Sequence, residues 1–235
     1  MDIVGSSIHY FFETGSDEPV EVFIDENFDH LMYPSVFLRG FKNMNRIERH
    51  ALQLCNGKIL DIGAGAGCHS LYLQSKGFEV IALDRSKLCC SIMNLRGVKN
   101  IICSEILKLN TGKYDTILLL MNGLGIAGEL QAVKTYLNHI KKLLSEKGKI
   151  FVDSTDIRYT LLLDKSKDED MRYFGETEML LKFQNKKEPL KWLYIDAVRL
   201  LKLSEECGLN CIILKSDSKH RFLAQISCGD HEAHP

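Results

Sequence analysis

The feature that most constrains the fold is an alternation running through residues 58–154. Five short apolar runs recur there: KILDI (58–62), FEVIALD (78–84), NIICS (100–104), YDTILLL (114–120) and KIFVDS (149–154). Helical stretches separate them. CHSLYLQSKG (68–77) ends at Gly77, and SKLCCSIMNLRG (86–97) starts on an N-capping Ser86 and stops at Gly97. Leu130, Val133, Leu137, Ile140 and Leu144 form one apolar stripe that ends at KG (147–148). Strand alternating with helix predicts an α/β fold with a doubly wound, mostly parallel sheet. YDTILLL is apolar at nearly every position, as expected of a strand covered on both faces.

Outside this region the rhythm differs. Residues 11–30 hold seven acids and no Lys or Arg, with Phe11, Phe12, Phe23 and Phe28 interleaved. They read either as a solvated arm or, because of the aromatics, as a lid. Residues 34–55 carry a helical pattern that NG (56–57) ends. ETEMLLKF and EPLKWLYI alternate with period two on either side of a polar turn, which predicts an inserted antiparallel hairpin at roughly 177–195. A helix over 196–208 and two final strands, NCIILKS and RFLAQIS, close the chain. The expected organisation is an N-terminal arm or lid (1–34), a core domain (35–228) with an insert at about 157–195, and a short tail (229–235).

Composition excludes more than it identifies. Apolar residues make up 45% and charged residues 26%, and the formal net charge is −1. No overall basic character points to nucleic acid or an anionic membrane. No segment is apolar for long enough to span a bilayer, and the first residues lack a basic start and long apolar run. Eight cysteines show no disulfide framework, and Cys207 and Cys211 lack a matching pair, so no metal site is expected. The expected compartment is the cytoplasm, with its reducing conditions.

The chemistry is concentrated at DIGAGAG (61–67). Gly63, Gly65 and Gly67 follow an apolar strand and precede a helix, where a ligand can approach the backbone closely. The spacing is G-x-G-x-G, with Cys68 where a dinucleotide fingerprint has its third small residue. Asp61 precedes the loop, and a carboxylate suits an ammonium or sulfonium better than a pyrophosphate. Asp84 ends the second strand, 21 residues after Gly63, where it can accept hydrogen bonds from both ribose hydroxyls. The implied ligand is a nucleoside with a cationic tail.

LDIGAGAG with VIALDRS resembles the first motif and the acidic second-strand end of the class I S-adenosylmethionine (SAM)-dependent methyltransferases. The resemblance continues through YDTILLLMNGLG and LSEKGKIFVDS, over roughly residues 35–228. It implies a Rossmann-like seven-stranded sheet with an antiparallel last strand. SAM is the implied cofactor and S-adenosyl-L-homocysteine (SAH) the implied product. Asp61 would face the methionine amino group, Gly63, Gly65 and Gly67 would underlie the cofactor, and Asp84 would hold the ribose with Arg85 beside the adenine. Glu105 would lie near the adenine amine, or else be a solvated loop acid. Asn122 would lie near the transferred methyl, or else be a turn residue. His69 and Arg39 could each meet the cofactor carboxylate or stand at the surface.

The resemblance implies direct displacement on the sulfonium methyl by an acceptor that the sequence does not name. A small molecule is expected, because no nucleic-acid groove is suggested and the fourth strand lacks an Asn-Pro-Pro-aromatic motif. Tyr173 and Trp192 in the insert either wall the acceptor or pack the hairpin. Two other readings stay open here: an NAD(P)-dependent oxidoreductase, whose spacing the loop lacks, and a non-catalytic SAM-binding subunit.

Overall fold

A computed structural model describes residues 1–159 and 172–229. Residues 160–171 of the expected insert and 230–235 of the expected tail lie outside the described residues. The alternating region forms β3 (Lys58–Ile62), α3 (Cys68–Ser75), β4 (Glu79–Asp84), α4 (Lys87–Leu95), β5 (Asn100–Cys103), β6 (Tyr114–Leu119), α5 (Val133–Leu143) and β7 (Leu144–Thr155). After α6 (Ala197–Glu206), strands β10 (Leu209–Ser216) and β11 (Arg221–Cys228) complete a seven-stranded sheet of order β10-β11-β7-β6-β3-β4-β5. Pairing through β7, β6, β3, β4 and β5 is parallel, and β11 runs antiparallel to both neighbours. This is the doubly wound Rossmann-like sheet that the alternation and the resemblance lead one to expect.

Both faces of the sheet are covered, which is why β6 is apolar from Ile117 to Leu119. Leu60, Ile117, Leu119, Ile150 and Val152 face a core completed by Leu137 and Ile140 of α5 and Leu200 of α6. Ile59, Leu118 and Phe151 face the other way, against Ile47, Ala51 and Leu52 of α2 (Arg46–Leu54) and Leu73 of α3. Alternate residues of one strand serve different cores, as the pleat requires.

The N-terminal segment is built into the fold. Helix α1 (Ile3–Thr14) precedes a hairpin of β1 (Val20–Ile24) and β2 (Asn27–Met32). Strand β1 pairs with β8 (Glu176–Phe183), which pairs with β9 (Lys186–Leu193), giving a second sheet of order β2-β1-β8-β9. The expected hairpin insert is therefore present, and residues from the chain start extend it. Helix α1 packs between this sheet and α4: Ile3 joins its apolar face, while Ile8 meets Cys89 and Ile92. Gly5 allows that approach, because a Cβ there would stand 2.5 Å from Ser86 Oγ.

Two local expectations are corrected. A single helix over 34–55 gives way to 3-10 turns at Pro34–Phe37 and Phe41–Asn43, followed by α2. Gly40 is extended, and Asn45 restarts the helix through a capping box with Glu48. Helix α5 ends at Leu143, short of KG, and β7 begins at Leu144. There Lys113 Nζ donates to the carbonyls of Lys142 and Leu144, satisfying groups at the helix end.

Candidate functional site

A cleft of about 980 Å³ opens where the carboxyl ends of β3, β4, β6 and β7 face the second sheet. It lies at the reversal of strand order, where open α/β sheets place their ligands. Its floor includes Asp61, Gly63, Gly65, Asp84, Arg85 and Glu105. The opposite wall is apolar and aromatic, from Val22, Met179, Leu181, Leu190, Trp192 and Tyr194.

The glycine turn is held by β4. Gly63 and Ala64 N–H groups donate to the Leu83 carbonyl at 2.8 and 3.1 Å. Gly63 has φ +71°, and no atom lies within 4 Å of where its Cβ would stand, so the turn presents bare backbone to the cleft. Gly67 acts differently: it lies outside the cleft lining, and a Cβ would meet Val98 Cγ2 at 2.8 Å. Its role is to let α3 pack closely.

Asp84 is fixed by backbone. Its Oδ2 accepts from Gly65 N–H and its Oδ1 from Ser86 N–H, each at 2.8 Å. Burial raises its pKa, and these two bonds work against that rise. Each oxygen keeps further acceptor capacity, as two adjacent hydroxyls require. Asp2, the N-cap of α1, also lines the cleft and accepts from Ser86 Oγ. Asp61 is buried, accepts from Ser70 Oγ at 2.6 Å, and is raised by burial against the opposing pull of His69 and Ser70.

Arg39 and His69 meet on a residue that the motifs do not reveal. Glu48 is 1% exposed. Its Oε1 accepts from the Arg39 guanidinium and lies 2.9 Å from His69 Nε2. His69 is buried, not at the surface, and Arg39 is largely buried too. Burial alone would depress the His69 pKa, but Cys68, Glu48 and Asp61 together raise it well above its ordinary value. Burial raises Glu48, but His69, Arg39 and Asn45 bring it below its ordinary value. The sequence signal was present as Asn45-x-x-Glu48, a capping box that also starts α2.

Asn122 stands at the end of β6 with φ +57°, next to Met121 at +61°. Two consecutive non-glycine residues in this region store strain of roughly 1–3 kcal/mol each. The strained turn is held from β7. Asn122 N–H donates to Asp153 Oδ1 at 2.8 Å, and Thr155 Oγ1 donates to Asn122 Oδ1 at 3.0 Å. Asp153 lines the cleft, and burial pushes its pKa up to about 7. Its signal in the sequence is an acid closing an apolar strand, as at Asp61 and Asp84.

Three further residues complete the account. Glu105 lines the cleft and pairs with Lys108 at 3.0 Å. Trp192 lines the cleft and packs over Gly125, where a Cβ would stand 2.3 Å from its Nε1. Tyr173 does not reach the cleft: its phenol donates to Asp196 Oδ2 at 2.6 Å and accepts from Asp196 N–H at 2.8 Å, bracing the start of α6. Among the described residues no cluster fits a metal ion.

Comparison with known proteins agrees with this fold. The family model described as "Tellurite resistance protein TehB" matches residues 45–122. A SAM-dependent methyltransferase from Bacteroides fragilis, crystallised with SAH, is 34% identical, with a TM-score of 0.86 over 97% of this chain and 94% of that one. A SAM-dependent methyltransferase from Clostridium acetobutylicum is 18% identical, with a TM-score of 0.59 over 76% and 86%. The CcbJ methyltransferase from Streptomyces caelestis is 13% identical, with a TM-score of 0.64 over 81% and 98%; these last two show the shared fold. None of the curated proteins matches this chain. The chain belongs to the SAM-dependent methyltransferases, and its cofactor is SAM.

Proposed function

We propose that this methyltransferase acts on a small molecule held between the cofactor and the second sheet. The observation that carries the reading is the wall itself. Met179, Leu181, Leu190, Trp192 and Tyr194 close the cleft opposite the glycine turn, within a volume suited to small ligands. A protein or nucleic-acid acceptor would need an open surface beside the turn.

The donor set fits the cofactor. Asp84 would hold the ribose hydroxyls, Gly63 and Gly65 would pass beneath, and Arg85 and Glu105 would flank the adenine. Asp61 would face the amino group. Arg39 and His69, both committed to Glu48, form a buried cationic pair beside the cleft that suits the cofactor carboxylate. When bound, the sulfonium supplies an activated methyl. The chain's own tasks are to align the acceptor and exclude water.

The eight thiols are free, which supports placement in the reducing cytoplasm. No described helix is long and apolar enough to cross a membrane.

Two measurements test the reading. Asp84→Ala should weaken SAH binding by about tenfold or more by calorimetry, the loss of roughly 1.4 kcal/mol. Unchanged affinity would remove the ribose from Asp84. Incubation with methyl-labelled SAM should label a low-molecular-weight metabolite pool. Label appearing in protein or nucleic acid instead would overturn the proposed acceptor class, and binding of NADH without SAH would overturn the cofactor assignment.

A further inference from the structure

Asp153 is the group that the cofactor assignment leaves without a task. It stands at the carboxyl end of β7, on the same face as Phe151, and is 4% exposed. Its Oδ1 is engaged by Asn122 N–H. Its Oδ2 accepts no hydrogen bond from the described residues and is not among their fully buried unpartnered atoms. That oxygen therefore opens onto the cleft that Asp153 lines. The chain maintains this at some cost, since the carboxylate anchors a turn with two strained residues.

We propose that Asp153 accepts the proton of the methyl acceptor, and that the acceptor is a compact molecule with an apolar or aromatic body and a reactive hydroxyl. The inference rests on the cofactor placement proposed above and deepens it. An unprotonated amine needs only positioning, whereas an oxygen nucleophile gains from a base. The apolar sheet opposite accounts for the body of the acceptor, and the open Oδ2 for its hydroxyl. In the step, the hydroxyl oxygen forms a bond to the methyl carbon. The methyl–sulfur bond breaks with its electron pair left on sulfur, and the hydroxyl proton passes to Asp153 Oδ2. One positive and one negative charge are thereby neutralised. The carboxyl then returns its proton to water.

The raised pKa of about 7 suits a base working near neutrality. The charged groups bearing on Asp153 are Glu48 on α2, which raises it, and His69 on α3 and Arg221 on β11, which lower it.

Sinefungin tests the placement, because it carries an amine where SAM carries the methylated sulfonium. The wild-type protein should bind sinefungin about tenfold more tightly than SAH at about pH 8, and the preference should fade as pH falls through about 7. Asp153→Asn should abolish the preference while retaining SAH affinity. Equal weakening of both ligands would place Asp153 at the methionine amino group and overturn the proposal. If the variant does not fold, a pH-independent ratio in the wild-type protein overturns it equally. In a second arm, the SAH-loaded protein should bind 2-naphthol more tightly than its methyl ether, and Asp153→Asn should bind both alike. No binding of the naphthol, or no preference for it in the wild-type protein, overturns the acceptor class. Failure of SAH itself to bind would instead sink the cofactor placement.

Discussion

Asp61, Asp84 and Asp153 are one residue type at one kind of position, yet their surroundings give them different tasks. Asp84 receives two backbone N–H groups and Asp61 a hydroxyl, whereas Asp153 receives one N–H and keeps an oxygen open. Asp153 has a stability consequence with a definite sign. Its ordinary pKa is 3.8 and its folded value about 7. Between these values the folded protein holds a proton that the unfolded chain has released, so the Asp153 contribution falls as pH rises from about 4 to about 7. Asp153→Asn is expected to stabilise the fold at about pH 8 by roughly 2–4 kcal/mol, with the gain narrowing at about pH 5. Urea unfolding at the two pH values measures it. The residues that sequence reasoning missed, Glu48 and Asp153, carry only general signals, a capping box and an acid at a strand end. What makes them notable is convergence: α2 and α3 bring Glu48 to His69, and the β6 turn brings Asn122 to Asp153.

At the scale of elements, β9 fits closely against the 3-10 turn Gly123–Ala127, where Trp192 lies over Gly125. Gly125→Ala would drive a methyl group into the indole and toward the Leu193 carbonyl, 2.8 Å away. A loss of about 1–3 kcal/mol is expected by chemical denaturation, as for other overpacked sites. Trp192 is the sole tryptophan and lines the cleft. Its fluorescence should therefore change on ligand binding in the wild-type protein, and a silent titration with SAH bound would place the ligand away from β9. The hairpin itself was legible from period-two alternation. The breaks in the 34–55 segment were less so, because Gly40 and the Asn45 cap interrupt a sequence whose apolar spacing still reads as one helix.

For the whole molecule, the cleft joins two sheets, so a ligand bound there stabilises both together. SAH at about one hundred times its dissociation constant is expected to add roughly 2.7 kcal/mol. A thermal scan should show one transition raised by about 5–10 °C, and NADH should leave it unmoved. The sequence by itself determined the strand–helix alternation, the glycine turn and the two aspartates that flank it, while the single seven-stranded sheet was implied by the family resemblance. Those features depend on local periodicity, on turn chemistry and on spacing within one βαβ unit. Only the tertiary structure decided that the acidic N-terminal segment joins the inserted hairpin as one sheet, pairing Glu21 with Lys182 across the intervening chain. It alone decided that Arg39 and His69 share Glu48, that Tyr173 braces α6, and that Asp153 faces the cleft. Each depends on contacts between residues far apart in sequence, and side-chain burial and pairing at such contacts are set by packing that no local pattern encodes.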